Sequence, residues 1–329
     1  MEVFMGIDVG SVTTKMVLLD AAGQIVDSLY LRTMGQPASV IQQGLKLLEG
    51  RIERPLTVAG VGATGSGRYL AAAVAGADVV KNEITAHTVA ASALVPGVKT
   101  IIEIGGQDSK IIILREGIAV DFAMNTVCAA GTGSFLDHQA TRLNIPIEEL
   151  GAVAMRSRNP VRIAGRCAVF AESDLVHKQQ IGHSLPDLLA GLCEALVRNY
   201  LNNVGKGKEI QPPVVFQGGV AANQAMQRAF EKALQLEVIV PPRYEIMGAI
   251  GAALLAQEEK GQYGHTRFRG FTAADETFDT VSSQCSGCPN QCEIITLKLN
   301  QKVISRWGDR CGKWQVGIGQ KASPERAAS

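Results

Sequence analysis

Short unbroken apolar runs recur along the chain, each ending in a glycine-containing turn, and they predict strands. The first group, "FMGIDVGSVTTKMVLLDAAGQIV" (4–26), reads as apolar strand, Gly-rich turn with an Asp, hydroxyl-plus-Lys step, second strand, short turn, third strand. "IIEIGGQDSKIIILREGIAV" (101–120) repeats that order about a hundred residues later. A third apolar run, Val214 to Phe216, leads through Gly218-Gly219 into an amphipathic helix. Helical spacing dominates elsewhere. In "LPDLLAGLCEALVRNYLNNV", Leu185, Leu188, Leu189, Leu192, Cys193, Leu196, Tyr200 and Leu201 form one stripe, which makes Cys193 a core residue. "EIMGAIGAALLAQ" predicts a small-residue helix able to pack closely on a neighbour. The echoed segments predict an α/β protein with two similar halves around a cleft.

Composition narrows the class. The 329 residues are 46% hydrophobic and 19% charged with 35 glycines, which suits a packed α/β protein of about two domains. A formal net charge of +1 gives no electrostatic reason to expect a nucleic-acid or membrane partner. No signal-like segment and no membrane-length apolar run is present, so a cytoplasmic protein is expected. Cysteines in that compartment are reduced, which turns attention from disulfides to metal chemistry.

The glycine turns suggest phosphate binding. Glycines let backbone amides approach an anion, and Ser11, Thr13 and Thr14 add hydroxyls beside Gly10. Lys15 and Lys110 offer positive charge, and Gly105-Gly106 repeat the first turn. Asp8 and Asp108 suit a hydrated magnesium ion, which takes one or two carboxylates plus water and phosphate oxygens. Gly218, Gly219 and Asn223 belong to a turn against which a nucleoside can lie.

The ordered set "GIDVGSVTTK", "IGGQDSK", "FQGGVAAN" and "GAIGAA" resembles the phosphate, adenosine and connector motifs of the actin, sugar-kinase and heat-shock-chaperone ATPase superfamily. Within it, "VCAAGTGSFLD", "RCAVFAESD" and "NEITAH" resemble the ATP-dependent activators of 2-hydroxyacyl-CoA dehydratases and the ATPase subunits of benzoyl-CoA reductases. The resemblance spans about residues 3–257. It implies two actin-like, ribonuclease H-like subdomains, 1–98 (completed by helix 246–257) and 99–245, around a nucleotide cleft. It further implies ATP and Mg2+ handled by Asp8, Gln107 and Asp108. A homodimer would share one [4Fe-4S] cluster on Cys128 and Cys167 of each chain, with a ferredoxin or flavodoxin as donor and an iron–sulfur enzyme as acceptor. Both cysteines precede a predicted helix, where free amides stabilise thiolates. A small-molecule kinase on the same scaffold and a nucleotide-binding redox sensor are the rival readings. Glu83 and His87 of "NEITAH" receive no role.

Beyond a polar linker at 258–270 comes a segment, 271–320, that departs from that pattern; 321–329 reads as a flexible tail. Cys285, Cys288 and Cys292 are spaced C-x2-C-x3-C, and Cys311 follows eighteen residues later. "EIITLKL" and "KVISRW" predict a β-hairpin that returns Cys311 to the first three. The result is a small metal-binding module, for zinc or for a second iron–sulfur cluster.

Overall fold

The computed structural model describes residues 1–125, 129–263 and 265–317. Cys128 and the 321–329 tail therefore lie outside the described residues. The chain forms two compact units: Met1–Ala86 together with the segment from Gly248 onward, and His87–Met247.

The first unit opens with β1 (Glu2–Val9), β2 (Thr13–Asp20), β3 (Ile25–Arg32), α1 (Pro37–Arg51), β4 (Thr57–Thr64), α2 (Arg68–Ala75) and β5 (Val79–Val80). Helix α3 (Glu83–Leu94) follows in sequence. The second unit holds β6 (Thr100–Ile104), β7 (Ser109–Arg115), β8 (Ile118–Asn125), α4 (Gly133–Arg142), α5 (Ile147–Ala154), α6 (Ala168–Gln180), α7 (Leu185–Asn203), β9 (Val214–Gln217), α8 (Gln224–Leu234) and β10 (Val238–Ile239). The chain then completes the first unit with α9 (Met247–Tyr263), β11 (Phe278–Gln284), β12 (Glu293–Leu299) and β13 (Lys302–Trp307).

The echo in the sequence becomes the same sheet built twice. One sheet runs β3-β2-β1-β4-β5 and the other β8-β7-β6-β9-β10. In each, three antiparallel strands are followed by two parallel ones. The unbroken apolar runs are the inner strands, covered on both faces: Val3, Met5, Ile7 in β1 and Ile111, Ile112, Leu114 in β7 are all at 0% exposure. Helix α9 lies directly on β1 and β4 because Gly6 and Gly62 carry no side chain. An added Cβ at either would stand 1.9 Å from the carbonyl oxygen of Ala249 or Ala252.

Helix α7 is the spine of the second core. Its stripe, with Cys193, Leu196 and Tyr200, is buried as the spacing predicts. Burial pushes the Cys193 thiol up to about 12, which leaves it an inert hydrophobe. At the start of α7, Ser184 caps the helix and Asp187 gathers a loop. The Asp187 carboxylate accepts from Ser157 Oγ (2.6 Å), Ser184 Oγ (2.6 Å) and the amides of Arg158 (3.1 Å) and Asn159 (3.0 Å).

The C-terminal segment is a three-stranded antiparallel sheet, β11-β12-β13, rather than a bare hairpin. Its extra strand, "FDTVSSQ", is mostly exposed and carries almost no apolar signal. Leu297 (0% exposed) and Ala273 (1%) join the first unit's core, with Phe268, Phe271, Ile304 and Trp307 packed against it. Gln42 Nε2 of α1 reaches the carbonyls of Ala273 (3.1 Å), Ala274 (3.1 Å) and Glu276 (2.7 Å). Among the described residues no helix is long and apolar enough to cross a membrane.

The hydrogen bonds from Ser157 and then Ser184 hold the Asp187 carboxyl well below its ordinary 3.8. A carboxylate of depressed pKa stabilises the fold above the unfolded-state value and loses that contribution as pH falls toward the folded one. Asp187→Ala is expected to lower the melting temperature at pH 7, with the gap to wild type closing below about pH 4; thermal scans across pH 3–8 measure it.

Candidate functional site

Each sheet ends in a turn of the same construction. In the first unit Gly10 N–H donates to Thr13 O (2.9 Å), and in the second Gly105 N–H donates to Asp108 O (3.0 Å). Each turn is followed two residues later by a lysine paired to an aspartate. Lys15 Nζ lies 3.2 Å from Asp8 Oδ2, and Lys110 Nζ lies 2.8 Å from Asp108 Oδ2.

In the first turn, Asp8 is 6% exposed at the end of β1 and faces Lys15 across the β1–β2 ladder. Its carboxylate borders two glycines: an added Cβ would come within 2.7 Å of it at Gly65 and 2.6 Å at Gly248. Backbone therefore packs directly against the Asp8 carboxylate, and no side chain fits at either glycine without displacing it. Ser11 is exposed and Thr13 half-buried. Thr14 points the other way, because successive strand residues alternate faces. It is fully buried and pairs with Thr33 Oγ1 (3.0 Å), which in turn donates to Gly10 O (3.0 Å). Thr14 therefore braces the turn from beneath rather than offering a donor at its surface.

The second turn is set by a buried charge cluster. Lys110, 2% exposed, also donates to Glu103 Oε2 (3.0 Å), its direct partner across the β6–β7 ladder. An added Cβ at Gly218 would meet Glu103 Oε1 at 2.7 Å, so this acid underlies the Gly218-Gly219 turn as well. Gln107 is exposed at the apex. Gln217, at 0% exposure, binds His87 Nδ1 (2.8 Å), and its Oε1 has no partner among the described residues. That contact gives "NEITAH" a local role: His87 supports the strand end that carries Gly218. Asn223 is not presented as a nucleoside contact. Its side chain caps α8 by accepting from Ala225 N (3.0 Å) and Met226 N (3.2 Å).

The cysteine segments join this turn through backbone and through one side chain. The amides that open α4 donate to the turn: Gly133 N–H to Gly105 O (2.9 Å) and Ser134 N–H to Gly106 O (2.8 Å). A 3₁₀ turn at 129–131 precedes α4, and Cys128 itself lies outside the described residues. Cys167 is the half-buried N-cap residue of α6, and its side chain makes no capping bond. The segment before it is pinned by Arg198 to Ile163 O (2.6 Å), Ala164 N to Asp174 Oδ2 (2.9 Å) and Asn199 Nδ2 to Gly165 O (2.6 Å). Asn199, 2% exposed on α7, also meets the other segment: an added Cβ at Gly131 would stand 3.1 Å from its Oδ1. Beneath them Tyr200 donates its hydroxyl to Lys110 O (2.7 Å), and burial raises its phenol well above 10.

Glu103, Gln217 and Asn199 carry this arrangement although sequence reasoning passed over them. Each left a trace: a single acid in "IIEI", a glutamine closing an apolar strand, an asparagine in register with the α7 stripe. The four C-terminal cysteines stand at one end of the small sheet. Among the described residues no three His, Cys, Asp or Glu side chains form a closed metal-holding group.

Residues 5–256 match the model of the BadF/BadG/BcrA/BcrD ATPase family. The 2-hydroxyisocaproyl-CoA dehydratase activator of Clostridioides difficile is 35% identical over 257 residues, 78% of this chain and 95% of that protein. The (R)-2-hydroxyglutaryl-CoA dehydratase activating ATPase of Acidaminococcus fermentans is 34% identical over 258 residues, 78% of this chain and 97% of that protein. A solved structure of the activator of the 2-hydroxyisocaproyl-CoA dehydratase from Clostridium difficile with bound ADPNP superposes with a TM-score of 0.72. It is 34% identical, covering 80% of this chain and 97% of its own.

Replacing Lys110 by Met leaves Glu103 buried without its cation. The expected loss is about 3–5 kcal/mol of folding stability, read from urea unfolding, and Glu103→Gln in the same chain should recover part of it.

Proposed function

Because the chain belongs to the BadF/BadG/BcrA/BcrD ATPase family, we propose that it is an ATP-driven reductive activator: a homodimer that passes single low-potential electrons to a partner iron–sulfur enzyme. When bound, Mg-ATP supplies the driving energy and a [4Fe-4S] cluster shared by two chains supplies the electron carrier. The partner is a 2-hydroxyacyl-CoA dehydratase, an acyl-CoA reductase or a double-cubane cluster protein, and the donor is a ferredoxin or flavodoxin.

The residues suit those groups. Ser11, Thr13 and Lys15 beside Gly10 offer phosphate donors, and Gly105-Gly106 form the second phosphate turn. Asp8 and Asp108 each present a carboxylate oxygen beside a lysine, the hard-oxygen chemistry that a hydrated magnesium ion takes. Exposed Gln107 would orient the attacking water. Gly218 and Gly219 would lie against the nucleoside; Asn223 keeps that turn in place by capping α8. Cys167 stands where the first amides of α6 stabilise a thiolate, and its side chain is uncommitted to capping. Cys128 and Cys167 give two thiolates per chain, half of a four-thiolate set, and a second copy completes it.

The observation that carries this reading is the pair of amide bonds from Gly133 and Ser134 to the carbonyls of Gly105 and Gly106. A phosphate-dependent shift of the 105–108 turn would pull directly on the start of α4, which follows Cys128 in the sequence. Asn199 passes the same shift to the segment that ends at Cys167. Nucleotide must then bind one arrangement more tightly than the other, as any population shift requires.

Cys167→Ser, purified without oxygen, is expected to lose the broad iron–sulfur absorbance and the ATP-dependent electron transfer while still binding Mg-ATP. A variant that keeps both optical and transfer signals sinks the shared-cluster reading. Asn199→Ala should instead keep the iron and weaken the stimulation of ATP hydrolysis by the partner enzyme.

A further inference from the structure

The C-terminal cysteines take no part in that scheme, and they lie past residue 256, where the family match ends. Their positions follow from the ladder. Gln284 pairs with Glu293, so one step further Cys285 faces Cys292, and Cys285 N–H donates to Cys292 O (2.8 Å). Directly opposed residues of an antiparallel pair project to one face, about 5 Å apart at the backbone. Their sulfurs can close to about 3.8 Å, the edge of a tetrahedron with metal–sulfur bonds of about 2.3 Å. Cys288 sits in the loop between them, folded back by Gln291 N–H to Cys288 O (3.2 Å). On the third strand, Trp307 pairs with Ile295, so the chain beyond it continues toward this same end of the sheet. Gly308 passes so close that an added Cβ would meet Glu293 O at 2.1 Å. Three residues later comes Cys311.

Cys285 Sγ accepts from Gly287 N–H (3.4 Å) and from the indole Nε1 of Trp314 (3.3 Å), which fixes the direction of its side chain. The indole bond also folds the 309–314 loop over Cys285, and Trp314 N–H to Asp309 Oδ2 (3.0 Å) fixes that loop. Cys311 points its thiol at Asp309 Oδ2 (3.4 Å). Arg306 stacks 5.7 Å from the Trp314 ring, which helps hold that indole in place. Among the described residues the sulfurs do not form a ready-made metal-holding group, so binding would have to draw the loop cysteines inward onto the Cys285–Cys292 pair.

We propose that Cys285, Cys288, Cys292 and Cys311 bind one zinc ion in a four-thiolate site that clasps the open end of the β11-β12-β13 sheet. Cys285 and Cys292 are joined by a backbone hydrogen bond at the end of the ladder, and such opposed positions suit the short sulfur–sulfur edge around a single tetrahedral ion. Binding releases the thiol protons to solvent and involves no electron transfer. The site is structural: it holds the sheet whose Leu297 joins the first unit's core. This assignment is independent of the shared cluster, because it uses different cysteines and is read through zinc.

The test uses the full-length chain, stripped and then titrated with Zn2+ against a chromophoric chelator. One zinc per chain is expected, with an all-sulfur X-ray absorption shell at about 2.3 Å and thiolate charge-transfer bands on Co2+ exchange. Cys288→Ser and Cys311→Ser, both at exposed positions, should each bind zinc at least about 100-fold more weakly, and Trp314→Phe, which removes only an outer hydrogen bond, about 10-fold more weakly. Iron that depends on Cys167 should be unchanged in all three. Iron and sulfide lost with Cys288 would replace the zinc site by a second cluster. Four thiols that react freely and show no zinc stoichiometry overturn the proposal outright.

Discussion

A lysine ammonium in the middle of an apolar sheet has to be matched, and much of the second unit follows from how that is done. Lys110 is enclosed by Glu103 and Asp108, two carboxylates on either side of one turn. An unpaired charge at that depth costs several kcal/mol, so the turn from Gly105 to Asp108 has little freedom in where it places its backbone. The carbonyls of Gly105 and Gly106 become fixed acceptors for the first amides of α4, and Glu103 fixes the floor under Gly218. The 105–108 turn, the Gly218-Gly219 turn and the start of α4 are thus referred to one buried cation.

Much of the architecture was legible because repetition is a strong signal. Two segments with the same order of apolar runs and glycine turns became two sheets with the same strand order. The stripe through Cys193 became the spine of a core. What remained hidden was direction. In a strand apolar on both sides the pattern does not say which face a hydroxyl joins, so Thr14 reads as a phosphate donor until its pairing with Thr33 is known. Asn223 has the same ambiguity at a helix start, where capping competes with any ligand for its oxygen. Asn199 was hidden differently. It sits in register with a hydrophobic stripe, and only the convergence of two distant segments shows what a buried amide is for. Strand β11 left no pattern because it is an exposed edge whose partners come from later in the chain.

The same contrast separates the two sets of cysteines. Cys167 depends on pinning from elsewhere, through Arg198, Asp174 and Asn199, so its setting is a tertiary product. The C-terminal four depend on local register, since the ladder that opposes Gln284 to Glu293 also opposes Cys285 to Cys292. That is why their spacing alone suggested a shared ligand, whereas Cys128 and Cys167 needed the family resemblance.

The reach of Gln42 to three carbonyls of the segment after α9 has a practical consequence. The family match stops at residue 256, yet an amide on α1 is committed to backbone beyond that point, and aromatic side chains from the later segment pack on the first unit's core. An appendage that is merely tethered can be trimmed from a gene without harm. This one is built into its host: Gln42 and the core around Leu297 and Ala273 hold it, so a shortened chain would bare apolar surface rather than a clean edge.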